Sequence, residues 1–268
     1  MDQADCAKQT LTVFPERIAQ RTAEYQERKL WACGVDPALY GDTAEVGLFG
    51  QDCFKAMTAA SVVLDGMVHM AQRLVLHQPA MIVEPLVQRG WIASDEADPR
   101  GRRIVQKFEF VRADGDIAVT AEMFRLKPEP TKMGASRGTR RKDEDPREGF
   151  TLLNDKTMRP EDVMAFSEDV GNLIHFEPGF ARRYGYRAPI SQGIQTMIWM
   201  MGALARDRAP RTFDVTAQFL RPVHWDDTVT LWGIPKNDGL NTDGPNSLRA
   251  INAEGKLTAE LRVDALTY

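Results

Sequence analysis

Two stretches near the C-terminus alternate between apolar and polar residues. Over 257–265 every second residue is Leu, Val or Ala, and Thr, Glu, Arg and Asp stand between them. Over 213–219, Phe, Val and Ala alternate in the same way with Asp, Thr and Gln. A strict period of two places one face of a strand in the core and the other in water. Both stretches are therefore predicted to be strands of an antiparallel sheet with one solvent-exposed face.

Other stretches have the spacing of helices. Apolar positions from Phe54 to Val75 recur at close to 3.6 residues, which predicts a long helix over 54–75. Residues 194–205 are apolar nearly all round and include Met197, Met200 and Met201, so this helix is predicted to be buried on most sides. A further helix is predicted over 15–30.

A polar segment separates two similar halves. Residues 127–149 contain three prolines, three glycines and many charged residues, a composition typical of a solvated linker. On each side, a helix candidate precedes strand candidates. The Ala-Asp-Gly turn at 113–115 is matched by Ala-Glu-Gly at 253–255, and both fit hairpins. We predict a duplication with halves 1–127 and 150–268, joined by a linker at 128–149.

A buried helix followed by antiparallel strands in each half predicts a fold of the α+β class. The expected architecture is a double hot-dog, in which two antiparallel sheets are each wrapped around a long central helix. The first half contains no histidine-centred motif like that of the second half described below, so it is expected to form a wall of the binding tunnel.

Composition excludes several classes of protein. The 268 residues are 43% hydrophobic and 27% charged, with a formal net charge of -4, which is typical of a soluble globular protein and argues against nucleic-acid binding. Cys6, Cys33 and Cys53 are widely spaced, so we expect reduced thiols in a cytoplasmic protein, with no disulfides and no metal site. No apolar run approaches the roughly 20 residues of a membrane span.

The residues best suited to chemistry lie between 166 and 193. His175 follows Asn172 closely, and a loop beginning at Pro189 leads to Gly193 at the start of the buried helix. A helix N-terminus offers unpaired N–H groups, and a glycine lets a carbonyl oxygen approach the backbone. A neutral histidine can take a proton from water at pH 7. Together these groups suit the activation of a thioester.

This region resembles the hydratase-2 motif of MaoC-like enzymes, Asp-x-Asn-Pro-Ile/Leu-His followed by Pro-Ile-x-His-Gly. The matching residues are Asn172, Ile174, His175, Ala181, Gly185, Pro189, Ile190 and Gly193. Farther along, Arg-Pro-Val at 221–223 and Asp-Thr-Val at 227–229 are also similar to the family. The resemblance covers about 150–268.

The resemblance implies an (R)-specific enoyl-CoA hydratase or a related 3-hydroxyacyl dehydratase, a carbon–oxygen lyase without a metal or other cofactor. His175 would activate the water that attacks C3, the Gly193 N–H would hold the thioester oxygen, and Asn172 would fix the water or the loop. The partner would be an acyl-CoA or acyl-carrier-protein thioester, with neither nucleic acid nor membrane, and the chain could pair into a homodimer. Candidate substrate-binding residues are Tyr184, Arg187, Pro189, Ile190, Ser191 and Gln192.

One departure from the motif affects the reaction directly. The family's catalytic Asp precedes the His by five residues, where this chain has Val170, and Asp169 reaches that place only through a shift of the loop. Leu173 replaces the motif's Pro, and Gln192 replaces its second His. Two alternatives therefore stay open: a hot-dog thioesterase, and a non-catalytic subunit that binds acyl thioesters.

Overall fold

In the part of the chain that the structure describes, ten strands form one continuous antiparallel sheet. The computed structural model describes residues 12–129, 145–205, 208–234 and 246–268. The strands in chain order are β1 Val13–Ala19, β2 Val68–Leu76, β3 Leu86–Asp98, β4 Gly101–Val111, β5 Ile117–Pro128, β6 Thr151–Thr157, β7 Thr212–Phe219, β8 Thr228–Gly233, β9 Ser247–Asn252 and β10 Leu257–Thr267. The helices are α1 Ala23–Cys33, α2 Phe49–Ala59, α3 Pro160–Ser167, α4 Pro178–Arg183 and α5 Gly193–Gly202.

The strand order repeats between the halves. Across the sheet the order is β1-β3-β4-β5-β2-β7-β10-β9-β8-β6, so the first five strands and the last five have the same arrangement, placed back to back. β2 and β7 pair where the halves meet, and Arg73 forms a two-pronged ion pair with Asp214 across that seam at 2.9 and 2.7 Å. The α+β prediction agrees with this sheet, but the expected two separate sheets are one sheet.

The two predicted hairpins are confirmed. Residues 112–116 turn between β4 and β5, and residues 252–256 turn between β9 and β10. Gly115 and Gly255 have φ of 96° and 70°, in the left-handed region that a residue without a side chain adopts most readily. The alternating strands near the C-terminus are confirmed as β7 and β10.

The long helix predicted over 54–75 is wrong. α2 ends at Ala59, and Val68–Leu76 is the strand β2, hydrogen-bonded to β5 on one side and to β7 on the other. Within β2, Gln72, Leu74 and Leu76 are buried alternately, which is the period of a strand. Pairing on both edges overrides a helical spacing that also fits these residues.

The helix predicted over 15–30 is also placed wrongly. Val13–Ala19 pairs with β3 as an edge strand, and the helix begins after Thr22, whose side chain accepts a hydrogen bond from the Tyr25 N–H. The buried helix of the second half is confirmed as α5, and Met197, Met200 and Met201 all lie in the core. At 10 residues α5 is shorter than the long central helix expected.

A single hydrophobic core spans the two halves. It includes Phe49 and Met57 of α2, Phe108 of β4, Met197 of α5 and Leu261 of β10. Cys33 and Cys53 are buried free thiols, whereas Cys6 and most of the predicted linker (130–144) lie outside the described residues. No helix in the described ranges is long and apolar enough to cross a membrane.

Candidate active site

His175 lies in a short 3-10 turn, Leu173–His175, that Asn172 caps. The Asn172 Oδ1 accepts a hydrogen bond from the Ile174 N–H at 3.1 Å, and the Asn172 carbonyl accepts one from the His175 N–H at 3.2 Å. An Asn before a helical turn commonly satisfies a free backbone donor in this way. Asn172 therefore orients the segment that carries the imidazole.

The imidazole of His175 is held in one protonation form. Its Nδ1 lies 2.7 Å from the carbonyl oxygen of Ile190, and a carbonyl can only accept, so Nδ1 carries the proton. Nε2 then keeps its lone pair, and no hydrogen-bond partner for it is found in the described part of the chain. Burial lowers the pKa of His175 to about 4, so the ring is a neutral base at pH 7.

The loop from Pro189 to Gln192 lies between the histidine turn and the residues after β7. The Ile190 N–H donates to Ile174, the Ser191 N–H donates to Val223, and the Pro189 carbonyl accepts from Trp225. These bonds hold the loop from both sides. The Ile190 carbonyl that orients His175 is therefore itself rigidly placed.

Gly193 begins α5, and its N–H has no hydrogen-bond partner among the described residues. The N–H groups of Gln195 and Thr196 already bond to the Gln192 carbonyl. A Cβ at Gly193 would come within 2.8 Å of the Phe219 ring, so only glycine fits there without displacing that ring. Among the described residues this leaves the N–H groups of Gly193 and Ile194 as backbone donors at the positive end of a buried helix, and Gly193 is three residues from the carbonyl that orients His175.

Gln192 faces a residue of the first half. Its Oε1 accepts a hydrogen bond from the Gln51 Nε2 of α2 at 3.2 Å, while its own Nε2 is buried without a partner. Ser191 donates to Gln195 at 2.8 Å, which ties the loop to α5. Sequence reasoning missed Gln51, because nothing in the pattern of α2 distinguishes it from an ordinary polar helix residue.

Asp169 lies against α1 of the first half. Its Oδ2 accepts a hydrogen bond from the Tyr25 hydroxyl at 2.6 Å and lies 3.0 Å from the Lys29 Nζ, whereas Oδ1 has no partner within the described ranges. Burial would raise the pKa of Asp169, but the bonds from Tyr25 and Lys29 outweigh it and hold the pKa below its usual range. No hydrogen bond joins Asp169 to His175 in the described structure.

Lys29 connects α1 to the end of α3. Its fully buried Nζ donates to the carbonyls of Ala165 and Phe166 at 2.7 and 3.1 Å and to Glu168 at 3.2 Å. A cation is favourable at a helix C-terminus, where the carbonyls have no partner within the helix. No sequence pattern predicts this contact, since Lys29 stands in a run of charged residues.

Two of the predicted substrate-binding residues lie nearer the surface. Arg187 forms ion pairs with Asp226 and Asp227, so its charge is already neutralised in part. Tyr184 is 42% exposed, and its ring comes within 3.0 Å of where a Cβ at Gly66 would lie. The structure thus brings together Asn172, His175, the 189–192 loop and Gly193. Asp169 instead contacts Tyr25 and Lys29, Tyr184 lies beside Gly66, and Arg187 pairs with Asp226 and Asp227.

No protein-family model matches the chain, and no curated protein matches it significantly. In the described ranges, no group of three or more His, Cys, Asp or Glu side chains is arranged to hold a metal ion.

Solved structures do resemble it. HtdX from Mycobacterium tuberculosis superposes with a TM-score of 0.77 at 15% identity, over 94% of this chain and 98% of its own. A MaoC-like dehydratase from Phytophthora capsici gives 0.67 at 13% identity, over 93% and 95%. A second M. tuberculosis protein, described as having a double hotdog fold, gives 0.59 at 12% identity, over 94% of both chains. This chain therefore has the double hotdog fold of the MaoC-like dehydratase structures.

Proposed function

We propose that the protein hydrates 2-enoyl thioesters, or dehydrates 3-hydroxyacyl thioesters in the reverse direction. The observation that carries the proposal is the hydrogen bond from His175 to the Ile190 carbonyl, which leaves Nε2 as a free base and ties the histidine to the loop that leads to the unpaired N–H of Gly193. The similarity of the fold to HtdX and to MaoC-like dehydratases supports it.

The reaction needs a base and a donor in these positions. His175 Nε2 takes a proton from water as the water oxygen bonds to C3, and the electron pair of the double bond moves to the thioester oxygen. The Gly193 N–H donates to that oxygen while negative charge develops on it, an effect worth about 2.7–4 kcal/mol per donor in comparable oxyanion sites. The protonated His175 then gives that proton to C2, which restores the thioester carbonyl and the neutral imidazole.

Asp169 is the candidate for a second catalytic group. Its pKa is low and its Oδ1 is unengaged, so the carboxylate can accept a hydrogen bond from the attacking water. Asn172 acts by positioning, through the turn that it caps. Pro189, Ile190, Ser191 and Gln192 form the loop against which the thioester would lie, whereas Tyr184 and Arg187 are proposed to contact the carrier end of the substrate.

The test is loss of absorbance at the enoyl-thioester band with crotonyl-CoA and with longer and branched enoyl-CoAs. His175→Ala should lower turnover by about 10²–10⁴, the range for loss of a general base. His77→Ala is a matched control, because His77 follows β2 directly, is exposed, and its side chain bonds to Thr120 outside the candidate site. The proposal fails if the native protein turns over none of these substrates, or if His175→Ala keeps full activity.

The same reactions distinguish the alternatives. Release of free CoA, followed with a thiol reagent, would indicate a thioesterase instead. Binding of saturated acyl-CoA without any turnover would favour a non-catalytic subunit, the alternative that Val170 at the expected Asp position suggests.

A further inference from the structure

Arg125 is a buried cation without a buried anion beside it. In the described ranges the structure buries three cationic side chains, Arg21, Lys29 and Arg125. Arg21 pairs with Asp52 at 2.6 Å, and Lys29 pairs with Asp169 at 3.0 Å. Arg125 forms no ion pair with any described residue.

The contacts of Arg125 are apolar or weak. One Nη lies 3.3 Å from the Met57 Sδ, the guanidinium lies 5.8 Å from the centroid of the Phe54 ring, and Nε is buried without a partner. The side chain is only 2% exposed, so water does not replace the missing anion across an open surface. Burial lowers its pKa to about 10, which still leaves it charged at pH 7. An isolated buried charge is costly unless something pairs with it.

Other buried polar groups lie on the same face of the sheet. Arg125 stands opposite His69 in the β5–β2 pairing, and Met123, two residues earlier on β5, stands opposite both Gln72 and Gln106. Residues directly opposite, and residues two apart on one strand, share a face. Both amide atoms of Gln72, the Oε1 of Gln106 and the Nε2 of His69 are buried without hydrogen-bond partners. A group of buried polar atoms without hydrogen bonds is rare in a closed core and indicates a binding site for a polar ligand.

This polar face adjoins the candidate active site through one aromatic ring. The Phe219 ring centroid lies 4.9 Å from that of His69, and the same ring packs against Gly193. The Phe54 ring lies 5.8 Å from His69 on another side. A thioester held at Gly193 would therefore have Phe219 and His69 between its carbonyl end and Arg125.

His69 itself does not supply the missing negative charge. Burial, and then the positive charge of Arg125, lower its pKa to about 3, so the ring is neutral at pH 7. A neutral imidazole and two amides can donate hydrogen bonds to an oxygen anion but cannot neutralise a guanidinium. A carboxylate matches the guanidinium in charge and in its two-pronged geometry.

We propose that Arg125 binds a carboxylate at the far end of the acyl group, with His69, Gln72 and Gln106 as further hydrogen-bonding partners. The substrate class is then a 2-enoyl thioester whose acyl chain carries a second carboxylate, or the corresponding 3-hydroxyacyl thioester. This inference rests on the proposed function for the location of the thioester.

The experiment compares substrates in pairs matched for chain length. Fumaryl-CoA is paired with crotonyl-CoA, glutaconyl-CoA with 2-pentenoyl-CoA, and 2-hexenedioyl-CoA with 2-hexenoyl-CoA. The native protein should have a higher kcat/KM for the carboxylated member of at least one pair. Arg125→Met should lower kcat/KM for that member by about 30-fold to several thousand-fold, the range for loss of one partner of a buried charge pair, and so remove the preference over the uncharged member.

Two further variants separate binding from folding. Arg125→Lys keeps the positive charge but not the pair of N–H donors that binds both carboxylate oxygens, so it should retain part of the preference for the carboxylated substrate. Arg103 lies on the neighbouring strand β4, and its side chain is 52% exposed. Arg103→Met should therefore leave kcat/KM unchanged for both members of each pair. A melting temperature for Arg125→Met at or above that of the native protein would show that the loss is not unfolding, since an apolar side chain suits this site better than an unpaired charge.

The failures are distinguishable. Equal kcat/KM for both members of every pair, with turnover that depends on His175, would overturn this inference and leave the proposed function standing. If nothing is turned over, titration with glutaryl-CoA and valeryl-CoA decides. An Arg125-dependent preference for glutaryl-CoA supports the carboxylate site without the reaction, and equal affinity overturns it.

Discussion

The Nδ1 of His175 lies 2.7 Å from the carbonyl oxygen of Ile190, and this contact decides which form of the imidazole meets the substrate. Because the carbonyl accepts, the proton stays on Nδ1 and the lone pair stays on Nε2. The same loop that fixes the histidine continues directly to the N-terminus of α5. One short segment therefore positions both the base and the donor of the proposed reaction.

The pH dependence of the proposed reaction should reflect the burial of His175. Its pKa of about 4 keeps it neutral well below pH 6.5, so kcat/KM should be flat from about pH 5 to pH 8 and fall only near pH 4. The pKa of His175 is lower in the folded chain than in the unfolded chain. Its contribution to the free energy of unfolding is therefore fully present above about pH 6.5 and is lost as the pH falls toward 4. Initial rates with a stable enoyl-CoA across this range test the profile. A fall in kcat/KM centred near pH 6.5 would contradict this expectation.

Asp169 and Glu168 form a matched pair for testing the second catalytic group. Asp169→Asn should lower kcat at least about 10²-fold if its carboxylate holds the water. Glu168→Gln should have little effect, because Glu168 is 42% exposed and lies at the outer edge of the same cluster. Parallel melting curves are needed, since Asp169 also pairs with Lys29. Full activity of Asp169→Asn would remove it from the mechanism.

Lys29 should contribute far more to stability than its neighbour Arg28. Lys29→Met leaves Asp169 and the α3 carbonyls without their buried cation, and we expect a loss of about 3–5 kcal/mol in the free energy of unfolding. Arg28→Met removes only an exposed pair with Glu168, worth about 0–1 kcal/mol. Urea unfolding of both variants measures the difference. Equal losses would mean that the buried contacts of Lys29 do not stabilise the fold.

Glu45 should make the protein less stable as the pH rises. Burial raises its pKa to about 7, and its Oε1 is buried without a partner while Oε2 accepts from the Leu48 N–H. Between about pH 4.5 and pH 7 the folded chain holds this proton more tightly than the unfolded chain, so the contribution of Glu45 to stability falls as the pH rises through that window.

Replacement by the neutral amide should abolish this pH dependence. Glu45→Gln should be more stable than the native protein by up to about 3 kcal/mol at pH 8, and the gain should shrink by pH 5. Unfolding at the two pH values gives both differences. Glu161→Gln, at a side chain that is 65% exposed, is the control and should give no such change. A gain equal at both pH values would contradict the assignment to Glu45.

Local patterns were sufficient for several elements of the fold. The period of two in β7 and β10, the acidic-Gly turns at 113–115 and 253–255 and the largely apolar α5 each depend on neighbours close in sequence. The motif around His175 and Gly193 could be found in the same way, because its residues lie within one continuous segment of the chain.

The tertiary structure decided what depends on distant partners. Residues 68–76 are compatible with a helical stripe, and only pairing with β5 and β7 makes them a strand. The pairing of Asp169 with Lys29 joins positions 140 residues apart, and the lack of an anion beside Arg125 depends on what folding brings near it. Sequence periodicity determines which face of an element is buried, whereas the partner that a buried charge meets is set by the packing of elements far apart in the chain.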